Sequence, residues 1–267
     1  MRFSILRRRF ALGLLATLFI SGLQTTTVYA ADNLLEKVQQ SKKLVIGLEG
    51  TYPPFSFQDQ NGNLAGFEVD LAEDLAKRLG VKADLKPTKW DGMLASLESK
   101  RIDVVINQVT ISPEREKKYD FSTPYTVSGI QALVKKGNEG EYKDANSLKG
   151  KKVGVGLGTN YEQWLTANVP DAVVRTYDDD PTKYQDLRVG RIDVILVDRL
   201  AALDLSTKTK GDLVVAGDAF SRQEAGVALR KGNPELLAAI NKAIEEMRED
   251  GSLAKISNKW FGADVSK

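Results

Sequence analysis

The sequence predicts an α/β protein of two similar lobes, each built on a mostly parallel central sheet flanked by helices, with a ligand cleft between the lobes. Three observations carry that prediction. Apolar strands with little alternation are separated by amphipathic helices, the pattern of a parallel sheet covered on both faces. The pattern then restarts: KKVGVGLGTNYEQW restates KKLVIGLEGTYPPF, and GRIDVILVDRLAA restates KRIDVVINQVTIS. Finally, there is no cysteine to staple a small fold, so the roughly 237 residues after position 30 must rely on core burial, a length that suits one large domain or two lobes.

The first element is not part of that fold. MRFSILRRRF is basic, ALGLLATLFISGL is apolar, and QTTTVYA ends small-x-small at Val28 and Ala30, so residues 1–30 are expected to be a secretory signal peptide cut after Ala30. The apolar run is well short of the ~20 residues a bilayer helix needs. The Arg7-Arg8-Arg9-Phe10 cluster weakly resembles a twin-arginine signal. Export to the periplasm is therefore expected.

After it, LLEKVQQ is an amphipathic lead-in, and KKLVIGL is a strand that breaks into a Gly/Pro turn. GFEVDLAEDLAKRLG is read as a helix, with Phe67, Leu71, Leu75 and Leu79 on one face and Gly80 as its stop. VKADLKP is a strand, WDGMLASLESK a helix and RIDVVINQVT a strand. The second half follows the same order. The pairs Arg101/Asp103 and Arg191/Asp193 each open a strand and are assigned a structural role. NPELLAAINKAIEEMREDG closes the series as a helix capped by Asn233, with Pro234 in its first turn. Its apolar face is Leu236, Leu237, Ile240, Ile244 and Met247, and Gly251 ends it.

Composition narrows the chemistry. The chain has 38 Lys plus Arg against 36 Asp plus Glu, and Arg2, Arg7, Arg8 and Arg9 leave with the signal, so the mature balance is 34 − 36 = −2. That near-neutrality argues against nucleic acid and anionic membranes as partners. Histidine is absent as well as cysteine, which removes the commonest metal ligands, general bases and thiol nucleophiles. No metal or cofactor is expected, catalysis would have to rest on carboxylates, Lys, Tyr or Ser, and binding should vary little between about pH 5 and 8.

In open parallel sheets, ligands bind beyond the carboxyl ends of the strands. Applied to the four repeated strands, the rule selects the loops Glu49 to Tyr52, Gln108 to Arg115, Gly158 to Tyr161, and Asp198. Arg115 offers a planar fork for a carboxylate, with Thr110 and the peptide groups around Gln108 close by in sequence. Thr159 and Asn160 precede a helix whose N-terminus favours an anion. Asp198, with Glu49 as a second candidate, suits an ammonium, and Tyr52 and Trp90 offer flat apolar walls. One cation, one or two anions and two aromatics describe a site for an amino-acid zwitterion.

Each residue also has a plainer reading: Arg115 as a surface residue at a helix start, Asp198 as the cap of RLAALDL, Trp90 as core, Thr110 as part of a turn. GKKVGVGLGTNYEQW, followed by Asp178-Asp179-Asp180, also imitates a dinucleotide turn. Thr159 stands where that pattern needs its third glycine, and the partner segment KKLVIGLEGTYPPF has no such series. A turn that brings the backbone close to a ligand carboxylate is the preferred reading.

GLEGTYPPFSF, GFEVDLAEDLAKRLG, TKWDGMLASLESKRIDVVINQVTISPERE, YDFSTPYTVSG, GVGLGTNYEQW and GRIDVILVDRLAALD together resemble the polar amino acid substrate-binding proteins of ABC importers, across essentially the whole mature chain. The resemblance implies the type II periplasmic binding protein fold, with crossings near Thr123 to Gly129 and Phe220 to Gly226. Residues 31–125 and 226–267 would form lobe 1, and residues 126–225 lobe 2. It further implies that Tyr52 and Trp90 wall the ligand, that Gln108 binds through its backbone, and that Thr110 and Arg115 hold the α-carboxylate. Gly158, Thr159 and Asn160 would close on it from lobe 2, and Asp198 would take the α-amino group. The implied partners are an inner-membrane ABC permease and an amino acid, L-cystine being favoured over cysteine, glutamine or a basic amino acid, bound by a monomer. Cystine has two zwitterionic ends, for which Glu49, Asn107 and Tyr161 are further candidates. Glu49 stands where many relatives carry Asp, and Asn107-Gln108 replaces a pair that is often small, so side-chain specificity is where this chain departs from the pattern. Two rivals accompany the reading: an enzyme resembling exported cyclohexadienyl dehydratase, with Glu49 or Asp198 as acid, and a receptor module that only signals ligand presence.

Overall fold

Alternating burial along Lys43–Leu48, with Leu44, Ile46 and Leu48 inside, sets the centre of the first sheet in the computed structural model, which describes residues 33–267. The signal peptide expected at residues 1–30 lies outside the described residues. Lys43–Leu48 pairs in parallel with Lys82–Pro87 on one side and Val104–Val105 on the other. Ala228–Arg230 pairs antiparallel with Val104–Val105, and Tyr119–Phe121 flanks it at the edge. The second sheet runs in the order Val173–Tyr177, Lys152–Gly156, Val194–Asp198, Thr126–Lys135, Leu213–Ala225. In each five-stranded sheet, four strands point one way and a single strand, Ala228–Arg230 or Thr126–Lys135, opposes them. The sheets are thus mostly parallel in direction, as the apolar strand runs predict.

The chain passes between the sheets twice, from Phe121 to Thr126 and from Ala225 to Ala228. These passages are tied to each other. The Tyr125 N–H donates to the Ala225 carbonyl at 2.8 Å, the Ser122 N–H to the Val227 carbonyl at 3.0 Å, and the Val227 N–H to Ser122 Oγ at 2.8 Å.

The expected strand RIDVVINQVT shortens to Val104–Val105 because side chains take over the bonds on either side of it. The Asp103 carboxylate accepts the Val45 N–H at 3.1 Å, and the Asn107 amide oxygen accepts the Glu49 N–H at 2.8 Å. Beyond that, Gln108 turns the backbone to φ 46°. In the second sheet, Asp193 accepts the Lys152 N–H at 2.8 Å. Both Arg-Ile-Asp segments therefore fasten neighbouring strands, in keeping with their structural assignment.

The helix Phe67–Arg78 buries Phe67, Leu71 and Leu75 as its spacing predicts, and Gly80 follows it at φ 72°. Its first two N–H groups donate to the Pro54 and Phe55 carbonyls, so the preceding Gly/Pro turn caps it. That contact requires Gly66 at φ 134°, where an added Cβ would lie 2.1 Å from the Phe55 carbonyl oxygen. Gly66→Ala is expected to destabilise the fold by more than about 2 kcal/mol, read as a lowered midpoint in denaturant. An unchanged midpoint would show that this capping turn is not under strict backbone constraint.

At the C-terminal end, Pro234–Glu249 buries Leu236, Ile240, Ile244 and Met247. Asn233 does not cap it through its side chain; its Nδ2 instead donates to the Arg230 carbonyl at 2.8 Å, tying the helix start to the preceding strand. After Gly251 at φ 76° comes a helix the sequence reading omitted, Ser252–Phe261. Leu253 is buried, Phe261 packs against Phe55 and Phe67, and Trp260 Nε1 donates to Asp70 at 2.7 Å. The spacing of Leu253, Ile256 and Trp260 carried that signal.

Candidate functional site

Loops beyond the parallel strands of both sheets line one cleft. Glu49, Tyr52, Trp90, Asn107 and Gln108 come from the first sheet's side, and Gly156, Thr159, Asn160 and Tyr161 from the second's. The second side adds Tyr177, Asp178, Asp179, Asp180 and Lys183, which were not among the expected site residues. Thr110, Arg115, Gly158 and Asp198 stand outside this lining and meet it through neighbours.

Arg115 lies in the short helix Pro113–Glu116, whose cap Ser112 accepts the Arg115 N–H at 3.3 Å. It is no surface residue: only 6% is exposed, and its guanidinium lies 5.2 Å from the centre of the Trp90 ring. Nη1 donates to the Thr110 carbonyl at 3.1 Å, while Nη2 is buried with no protein partner. The Thr110 hydroxyl makes only a long contact, 3.4 Å, to Gln223 Oε1. Burial works against the arginine's charge, so an anion placed beside Nη2 would be strongly held.

Gln108 departs from its expected backbone role. Its N–H is already taken by Glu68 Oε1 at 2.6 Å, with the Tyr125 hydroxyl 3.1 Å away. Thr126 holds Gln108 Oε1 at 2.9 Å and leaves Nε2 buried and unpaired, so the side-chain amide is the available donor. Glu68 itself is fully buried, and nothing in the sequence pattern marked it. It sits on the core face of an amphipathic helix, where a carboxyl is uncommon.

Asp198 caps a helix beside Val197, which lines the cleft. Its Oδ1 accepts the Leu200 N–H at 2.7 Å, opening the helix Arg199–Lys208, and the Ser128 hydroxyl at 2.8 Å. Burial lifts its carboxyl to about 6 against those bonds and a further one from the Ala201 N–H. Tyr161, from the helix after the glycine turn, neighbours it: burial and then the Asp198 charge raise its phenol. Asn107 clamps Glu49, accepting that residue's N–H and donating to Glu49 Oε2 at 2.8 Å. Burial, then the charge of Asp180 across the cleft, lift Glu49 to about 7.

The glycine turn spends more of its donors internally than expected. Glu162 Oε2 accepts the Gly158 N–H at 2.7 Å, and Thr159 directs its hydroxyl to the Gly156 carbonyl at 2.7 Å and its N–H to the same oxygen at 3.3 Å. What the turn leaves for a ligand is Asn160 Nδ2, buried and unpaired. Gly156 lines the cleft, and a Cβ there would meet Thr159 Cγ2 at 2.8 Å, which accounts for one glycine of the series by packing.

The absence of histidine had implied little pH dependence between about pH 5 and 8. Burial overturns that expectation, because it places Glu49 and Glu68 at about 7 and Asp198 at about 6. Among the described residues no helix is long and apolar enough to cross a membrane.

Comparison with known proteins agrees with this geometry. The family model described as bacterial extracellular solute-binding proteins, family 3, matches residues 44–263. The chain is 68% identical to the L-cystine-binding protein TcyJ of Escherichia coli (strain K12) over 267 residues, covering all of both chains. It is 40% identical to the L-cystine-binding protein TcyA of Bacillus subtilis (strain 168) over 237 residues, 88% of this chain and 87% of that one. An ancestral arginine-binding protein bound to arginine superposes with a TM-score of 0.79 at 46% identity, covering 83% of this chain and 99% of the other. These relatives are binding proteins and not enzymes, so the dehydratase reading gives way to one of ligand capture. A two-lobed fold, a cleft lined from both lobes, and a family match spanning nearly all the described chain lead to one assignment: the chain belongs to the bacterial extracellular solute-binding proteins of family 3.

Proposed function

We propose that this protein captures an amino acid, L-cystine in the first place, in the periplasm and delivers it as a monomer to an inner-membrane ABC permease. One observation carries the reading. Three buried polar groups without protein partners, Gln108 Nε2, Arg115 Nη2 and Asn160 Nδ2, belong to the candidate site and come from both lobes. Buried donors are rarely left unpaired, because each costs about 1–3 kcal/mol. A carboxylate that supplies their acceptors, with its ammonium on Asp198, converts that cost into affinity.

In this reading Arg115 and Gln108 hold the α-carboxylate from the first lobe, Asn160 reaches it from the second, and Trp90 and Tyr52 wall it. A ligand contacting both lobes stabilises the closed arrangement by bonds the open one lacks, and the permease reads the closed arrangement. The relatives named for L-cystine at 68% and 40% identity favour that ligand over cysteine, glutamine or a basic amino acid.

The test is a thermal-shift series on protein freed of co-purified ligand by partial unfolding and refolding, against the twenty amino acids, cystine and prephenate. Cystine is expected to give the largest shift, since a ligand at 100 times its Kd adds roughly 2.7 kcal/mol. A larger shift with another amino acid would replace the ligand and keep the site, and silence from every amino acid would overturn the reading.

A further inference from the structure

We propose that Glu49, Asp180 and Lys183 form a second charged pole of the cleft, which takes the ammonium and carboxylate at the far end of a ligand with two amino-acid ends. The inference rests on the amino-acid reading above and adds residues that the repeated-loop argument does not reach. Asp180 opens the helix Asp180–Arg188 on the second lobe, and Glu49 faces the same cleft from the first.

Lys183 is 1% exposed, and its ammonium pairs with Asp180 Oδ1 at 2.5 Å. The Tyr184 hydroxyl donates to the other oxygen, Asp180 Oδ2, at 2.6 Å, and the Lys183 ammonium lies 5.6 Å from the centre of the Tyr184 ring. An ammonium has three donors, so Lys183 retains capacity for a carboxylate beyond its bond to Asp180.

Charge makes the case for a distal ammonium. Glu49, Asp91, Asp178, Asp179 and Asp180 line the cleft against the single cation Lys183. Burial and then the Asp180 charge across the cleft lift the Glu49 carboxyl. A cation between them relieves that repulsion. Tyr52 lies on the same lining, 7% exposed, with the Tyr161 hydroxyl as its neighbour. Burial, then the charges of Tyr161, Asp198 and Asp180, raise the Tyr52 phenol.

Calorimetry on ligand-free wild type, Asp180→Asn and Lys183→Met separates the possibilities with three probes. L-cystine carries both poles, L-ornithine a distal ammonium alone, and S-methyl-L-cysteine no distal charge. Wild type is expected to bind cystine about 10-fold or more tighter than S-methyl-L-cysteine, the size of a buried charge contact. Asp180→Asn is expected to weaken cystine and ornithine by about 10-fold, with a smaller loss for S-methyl-L-cysteine. Lys183→Met is expected to weaken cystine while tightening ornithine, because it frees Asp180 for a cation, an opposite response that general loss of packing would not produce. Equal effects of either variant on all three probes would overturn the second pole, as would wild type holding S-methyl-L-cysteine as tightly as cystine, an arm that needs no variant to fold. Wild type binding none of the three would defeat the amino-acid reading itself, whereas a preference for cystine untouched by the variants would defeat the second pole alone.

Discussion

Arg115→Ala should weaken ligand binding by about 2–5 kcal/mol, or roughly 30-fold to several thousand-fold, in calorimetry on ligand-free protein. The size follows from burial. The residue is 6% exposed, and its guanidinium already uses Nη1 on the Thr110 carbonyl and presents Nη2 with no protein acceptor. Removing it would strand a ligand carboxylate beside buried groups, and an unpaired buried charge costs far more than a surface ion pair contributes. Arg115→Lys should recover only part of the loss. A single ammonium cannot both hold the Thr110 carbonyl and offer the planar fork, nor lie flat on the Trp90 ring. Near-native affinity in Arg115→Ala, with an unchanged melting temperature, would remove Arg115 from the site.

The repeat in the sequence was enough to select part of the cleft, and its limits explain what it missed. Tandem strands of the same type place loops at equivalent sheet ends, so Glu49, Gln108, Thr159 and Asp198 were reachable by counting from each Lys-Lys or Arg-Ile-Asp strand. Asp180 and Lys183 were not reachable that way. They follow the edge strand Val173–Tyr177, and their acidic run was weighed only as a ribose-binding carboxylate in a dinucleotide fold. Glu68 was hidden for a different reason: helical periodicity reports which face is apolar, and a single carboxyl on that face disappears into the pattern. Hydrogen-bond partners were equally out of reach. Whether Gln108 offers its N–H or its amide depends on where Glu68 and Thr126 arrive from elsewhere in the chain, at 2.6 and 2.9 Å.

Asp198→Asn should reduce affinity by a comparable amount while leaving the fold intact, and pH distinguishes its role from that of a cap. Asparagine is as good an N-cap as aspartate, so the bond from the Leu200 N–H survives the exchange. The charge that holds an ammonium does not. In the ligand-free protein burial lifts the Asp198 carboxyl to about 6, so protons compete with the ligand ammonium for it. Affinity owed to this group is therefore present above pH 6 and lost as pH falls through that value. Between pH 7 and 5 the wild-type advantage over Asp198→Asn should shrink by about 10-fold, and contributions from Glu49 cancel in the ratio. Stability should move the other way. A folded carboxyl raised from its ordinary 3.8 to about 6 stabilises the protein fully only below 3.8, and that stabilisation is lost as pH rises through 6. Neutral asparagine escapes the loss, so the ligand-free variant should be more stable than wild type at pH 7.5 by on the order of 2–3 kcal/mol. A variant that melts higher yet binds worse would identify Asp198 as a carboxylate kept for the ligand at the expense of the fold. A pH-independent affinity ratio would assign it to the helix cap alone.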